Sequence, residues 1–284
     1  MRTGYGIETS VPPAPYVRPP AVAGRFYPGE AGRLRSEVER AIGDAAGARP
    51  AVGAVAPHAG YVYSGGVAGR TFADLAVPRR VVILAPNHTG RGAPIAVVAS
   101  GSFRVPGADV PIDEELARAA LAEIPGARED ARAHEHEHAI EVELPFLLAR
   151  RPDVRIVPIV LGGIGEAEAL AVGQALARAA SAAAPGEEML VLASSDMSHY
   201  LPDADTRVKD RLAIDRLLAL DAPGLYRTVR DHDISMCGYL PATAMLAYAH
   251  ARGAREAELC GYATSGDASG DRDRVVGYAG VTIR

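Results

Sequence analysis

Short apolar runs bounded by glycine or proline alternate with amphipathic stretches along most of this chain. The runs at 51–56, 81–85, 95–99, 155–161, 189–193, 258–263 and 275–283 show little polar alternation, the pattern of strands covered on both faces. Between them, apolar residues recur at helical spacing over 30–42, 66–75, 113–124, 138–150, 166–183, 206–220 and 241–252. In the first of these, Leu34, Val38 and Ile42 fall at four-residue steps and make one stripe that would pack on a sheet. Strand and helix alternating in this way predict an α/β chain whose sheet is sandwiched between helices.

Residues 1–17 form a Pro-rich leader, with Pro12, Pro13 and Pro15 leading on to Pro19 and Pro20, a composition that resists both helix and ladder. The expectation is a leader that drapes or frays, followed by one α/β domain over 18–284. No internal repeat or charge-block linker divides that domain.

Composition narrows the function classes. At 284 residues and 48% hydrophobic the chain can bury a full core. A net charge of −5 without a basic stripe gives no nucleic-acid footprint. No apolar run reaches the length needed to cross a bilayer, and no signal sequence opens the chain, so no membrane partner is expected. Two cysteines, Cys237 and Cys260, are too few for a disulfide framework and suit a reducing, cytoplasmic setting.

Candidate chemistry clusters just after predicted strands. In an open α/β sheet, ligands bind outside the carboxyl ends of strands, so side chains placed there can converge from distant parts of the chain. His58 follows the 51–56 run in Pro57-His58-Ala59-Gly60-Tyr61, and His88 follows the 81–85 run in Pro86-Asn87-His88, the same strand-proline-histidine layout. Cys237 stands shortly before Pro241, which suits a first helical turn. A helix N-terminus favours the metal-binding thiolate there, whereas packing as a small hydrophobe is the alternative. For Cys260, within an apolar run, the expectation is packing alone. Ser194-Ser195-Asp196-Met197-Ser198-His199 follows the 189–193 run and offers either a fourth metal ligand and a general base, or merely a helix cap.

The run His134-Glu135-His136-Glu137-His138 reads as a solvated face of a helix start. On a helical wheel Glu137 falls inside the stripe of Ile140, Leu144, Leu147 and Leu148, with His138 and Glu141 at its borders. A carboxylate turned inward needs a partner, which makes Glu137 a group lining the pocket or supporting a ligand. His134 and His136 carry no such expectation. The Gly- and Asp-rich stretch 264–273 lacks calcium-loop spacing and is expected to be a structured turn.

Taken together, the motifs resemble the Memo family, including the AmmeMemoRadiSam system protein B members. The resemblance rests on the segments 18–28, Pro57 to Tyr61, Asn87-His88, Glu137 to Glu141, Ser194 to His199, Thr264 to Asp267 and 275–279. It implies the fold of class III extradiol (LigB-like) dioxygenases, a single-domain three-layer αβα sandwich with a central mixed, largely parallel sheet. It also implies His58 and His88 as metal histidines, Cys237 at the third ligand position, Asp196 beside it and His199 as acid/base. Tyr61, Glu137, His138, Glu141 and Ser195 would line or support the pocket. A thiolate where the dioxygenases have a carboxylate favours softer occupants, so the implied cofactor is one metal ion, iron or copper with zinc as an alternative.

Three functions follow from that reading. One is a non-haem iron or copper redox enzyme. Another is a non-catalytic module holding a small molecule or peptide, with Tyr61 and Tyr63 as stacking surfaces. The third is a metal-assisted hydrolase with His199 as base. Other components of the AmmeMemoRadiSam system are the partners that the resemblance suggests.

Overall fold

In this computed structural model, which describes residues 16–183 and 185–284, four parallel strands, buried except at the first residues of two of them, form the centre. They are β2 (Gly53–Ala56), β3 (Arg80–Pro86), β8 (Arg155–Leu161) and β9 (Met189–Ser194), hydrogen-bonded in the order β2-β9-β3-β8. β4 (Ile95–Val97) adds antiparallel to β8 and carries β7 (Arg128–Glu129). On the other side β12 (Val275–Ile283) runs antiparallel to β2 and pairs with β10 (His199–Leu201) and β11 (Ala257–Thr264). The sheet is therefore mixed, parallel at its centre and largely antiparallel toward its edges.

Helices cover both faces, giving the three-layer sandwich. α1 (Ala31–Ile42), α2 (Tyr61–Asp74) and α4 (Leu144–Arg150) pack together, with α2 against β2, β11 and β12. α3 (Glu114–Glu123), α5 (Glu166–Ala183), α7 (Ala222–Asp231) and α8 (Tyr239–Ala251) form a second group, with α8 against β2, β3 and β9. α6 (Asp203–Leu218) and the short α9 (Ser265–Ser269) flank β12. In α1 the expected stripe of Leu34, Val38 and Ile42 is buried, and Glu30 caps the helix by accepting from Gly32 and Arg33 N–H.

Register explains how distant residues meet. Ala56 pairs with Ser194, and Leu84 with Ala193, so β2, β3 and β9 end at one level of the sheet. The residues that follow, including His58, His88, Ser195 and Asp196, leave from the same rim.

Several expectations need correction. The helix expected over 66–75 begins at Tyr61. The helix expected over 138–150 is interrupted: 138–143 is irregular with a 3₁₀ turn at Glu141–Glu143, and α4 begins at Leu144. Pro145 explains this, because its missing N–H and ring are tolerated in a first turn but not inside a helix. His134, expected on a solvated face, is fully buried, its Nε2 3.2 Å from the Ala96 carbonyl. Unanticipated elements include a small sheet of β1 (Val17–Arg18), β5 (Ser102–Val105) and β6 (Ala108–Pro111), together with β7, α7 and β10. Of the expected leader, Val17 joins β1, and residues 1–15 lie outside the described residues.

Candidate metal centre

His58, His88 and Cys237 bring one ligand atom each to a common point, all within 4.8 Å of one another. His58 Nε2 lies 3.3 Å from Cys237 Sγ. A tetrahedral ion with Zn–N and Zn–S bonds of about 2.0 and 2.3 Å separates such atoms by about 3.5 Å, so this donor set fits a metal with small adjustments. His58 is buried, the His88 side chain is 32% exposed and Cys237 is half-buried, which leaves the centre open to solvent on the His88 side.

Each imidazole is held from behind. His88 Nδ1 is 2.9 Å from Glu137 Oε1, and its backbone N–H donates to Glu137 Oε2 at 2.7 Å. A carboxylate only accepts, so Nδ1 carries the proton and Nε2 keeps a free lone pair toward the centre. Burial opposes ionisation of Glu137, but the His88 imidazole and the Ala139 N–H outweigh it and hold the carboxyl below its usual range. Burial likewise lowers His88, and the Glu137 hydrogen bond and charge more than reverse that. His58 Nδ1 sits 2.8 Å from Ser194 Oγ, which also touches Glu143. Burial, then the neighbouring His138, His88 and His199, push His58 well below the ordinary histidine value, so its ring is neutral.

Cys237 immediately precedes Gly238, the N-cap of α8, as the sequence suggested. The expected thiolate is nevertheless disfavoured: burial and then the charge of Asp196 raise the thiol above its usual range, outweighing the N–H groups of Asp196 and Gly238. A metal would have to displace the proton. Gly238 is required there, since a Cβ would lie 2.4 Å from both the Ser194 carbonyl and Ser195 Cβ. Ser195 Oγ accepts from Gly238 N–H at 3.0 Å and donates to the Asp196 carbonyl at 2.7 Å, fastening the cysteine loop to the end of β9.

Asp196 stands outside the cluster of ligand atoms. Its Oδ1 accepts from the His58 backbone N–H at 2.9 Å, and its own N–H donates to Cys237 Sγ at 3.2 Å. Burial pushes its carboxyl up to about 7 against the pull of the His58 N–H and the His88 charge. His199 donates from Nδ1 to the Ser235 carbonyl, 2.9 Å away, which frees Nε2 as a proton acceptor. Burial lowers its affinity for protons, so its ring is neutral near pH 7.

The remaining expected pocket residues separate into three placements. His138 faces the centre, its ring centroid 5.3 Å from His58 and stacked 4.8 Å from His88. Glu141 faces away, inside a buried knot with Arg18, Tyr27 and the N–H groups of Ala21 and Val22. Tyr61 is interior too, donating to the Val142 carbonyl at 2.7 Å and packing on Phe146, so it offers no stacking surface at the mouth. Tyr63, by contrast, is exposed. Cys260 is half-buried on β11, with Sγ 3.7 Å from Asp74, and so is less enclosed than expected. The residues that sequence reasoning missed are Ser194 as a partner of His58 and the fully buried Glu143. The available signal was Glu143 in Val142-Glu143-Leu144, a carboxylate in an otherwise apolar run.

A family model described as Memo-like protein matches residues 18–282. The chain is 41% identical to a MEMO1 family protein of Desulfurococcus amylolyticus over 277 residues, covering 92% of this chain and 97% of that one. It is likewise 41% identical to a MEMO1 family protein of Methanococcoides burtonii, covering 94% and 100%. In fold it is similar to the solved structure of an uncharacterized protein, JW3007, from Escherichia coli K12, with a TM-score of 0.52 at 12% identity, covering 81% and 98%.

Proposed function

The chain belongs to the Memo-like family, and from that premise we propose that it holds one metal ion on His58, His88 and Cys237 and works as a metal-dependent oxidoreductase. The observation that carries this reading is the approach of two imidazoles and a thiol, from three separate loops, to within 4.8 Å. Iron or copper is the proposed occupant, with zinc the alternative, because a thiolate among imidazoles favours softer ions than an all-oxygen site. Such an ion would supply redox chemistry, or Lewis acidity in the case of zinc.

The protein's own groups divide the remaining work. Glu137 keeps the His88 Nε2 lone pair directed inward, Asp196 fixes the His58 and Cys237 loops, and His199 takes or returns a proton at Nε2. A small molecule or peptide would enter from the His88 and His138 side. We place the protein in a reducing cytoplasm, with components of the AmmeMemoRadiSam system as candidate partners. No helix among the described residues is long and apolar enough to cross a membrane.

Anaerobic purification followed by metal analysis tests the reading. Near-stoichiometric iron or copper is expected, falling far below one per chain in Cys237→Ser and His58→Ala. Equal metal content in all three proteins would remove the proposal. Oxygen uptake with a panel of catechols then separates enzyme from module: silence of the loaded protein across the panel would favour a binding module, a reading that the exposed Tyr63 beside Gly60 supports.

A further inference from the structure

Ser194 Oγ lies among three polar partners: the Ala139 carbonyl at 2.8 Å, Glu143 Oε1 at 2.7 Å and His58 Nδ1 at 2.8 Å. A serine hydroxyl has one hydrogen and two lone pairs, so one partner receives its proton and the other two must donate. The Ala139 carbonyl can only accept, which assigns it the hydroxyl proton. His58 and Glu143 are then both donors. For His58 this places the ring proton on Nδ1 and leaves Nε2, 3.3 Å from Cys237 Sγ, with its lone pair free.

We infer that Glu143 is a neutral carboxylic acid that donates to Ser194 and thereby locks His58 in the Nδ1–H tautomer whose Nε2 can bind a metal. The surroundings of Glu143 agree. Glu143 is fully buried, and its second oxygen, Oε2, has no hydrogen-bond partner among the described residues, a state tolerable for a neutral acid's carbonyl but costly for an ionised carboxylate. Burial, with the charge of Asp196 adding to it, also pushes the Glu143 carboxyl up to about 8, although Ser194 pulls the other way. Glu143 is therefore a positioning residue that acts through Ser194. Unlike Glu137, which holds His88 as an anion, it would do so without charge.

The proton assignment concerns the metal-free protein; only its effect on affinity rests on the proposed metal site. In wild-type protein treated with chelator, carbon-13 carboxyl NMR at pH 6.5 to 7 should show Glu143 protonated, and nitrogen-15 imidazole shifts should show His58 with its proton on Nδ1. Glu143→Gln, whose amide can also donate to Ser194, should keep that tautomer and bind iron, copper or zinc within about twofold of wild type. Glu143→Met removes the donor, freeing the hydroxyl to rotate, so the tautomer should redistribute and affinity fall about tenfold. An ionised Glu143, a His58 proton on Nε2, or a tautomer unchanged in Glu143→Met would each overturn the inference. The two wild-type spectra decide it even if the methionine variant fails to fold. A protein showing these spectra but taking up no metal would overturn the metal reading and leave this one standing.

Discussion

Two carboxylates stand behind the two imidazoles, and their chemistry differs. Glu137 takes three N–H donors, from His88 Nδ1, His88 backbone and Ala139 backbone, and is stabilised as an anion. Glutamine in its place would turn an NH₂ group toward one of those donors, leaving a buried N–H unpaired and the His88 ring less well oriented. Glu137→Gln should therefore weaken metal binding about 10- to 100-fold, measured by competition with a chelator of known affinity. Unchanged affinity would mean that His88 is oriented by packing alone. His58, His88 and Cys237 were legible in the sequence because each stands where an apolar run gives way to small residues and proline. Ser194 and Glu143 were not, since their role depends on a backbone carbonyl from Ala139 that no local pattern reveals. Helical spacing does not hold across the break at 138–143, which misplaces Glu141, and the early start of α2 at Tyr61 carries that ring into the interior.

That break belongs to the scale of elements. Long apolar runs such as β8 and the helix α5 were readable to the residue, as burial on both faces and an unbroken helical pattern leave little ambiguity. The 138–143 segment was not, because Arg18, contributed by β1, draws Glu141 and the Glu137 carbonyl into its own hydrogen bonds and competes with helix formation. The α5–α8 contact shows a similar conflict between local preference and packing. A Cβ on Gly173 would lie 2.0 Å from the Ala244 carbonyl and 2.7 Å from Tyr248 N. Alanine improves helix propensity by about 1 kcal/mol, yet the clash is with backbone and cannot be relieved by a rotamer change. Gly173→Ala should thus destabilise by about 2 kcal/mol in urea unfolding, at the middle of the usual range for overpacking. On exposed Gly66 in α2, where an added Cβ meets only Arg70 at 3.9 Å, the same change should stabilise by about 0.5–1 kcal/mol. Equal effects at both positions would refute the packing argument.

At the scale of the whole molecule, buried titratable groups set the pH dependence of stability. Burial raises Glu143 to about 8 and Asp196 to about 7, and also raises Asp210, so each binds its proton more tightly folded than unfolded. Stability from such groups is complete below their unfolded values near 4 and is lost as pH rises toward the folded ones. His58, His134, His138 and His199 are lowered, chiefly by burial, and act in the opposite sense, but only below their ordinary value of 6.5. Well above 6.5 those rings are neutral in both states. His88, raised by Glu137, then adds to the loss. Metal-free protein should accordingly lose stability between about pH 7 and 8, with each fully titrating acid contributing about 1.4 kcal/mol per pH unit. Glu143→Gln removes one of those acids while keeping a donor to Ser194. Its unfolding free energies from urea titrations, measured with chelator across that range, should fall less steeply with pH than those of wild type, by about 1 kcal/mol per pH unit, and parallel slopes would show that Glu143 is not the buried acid titrating there.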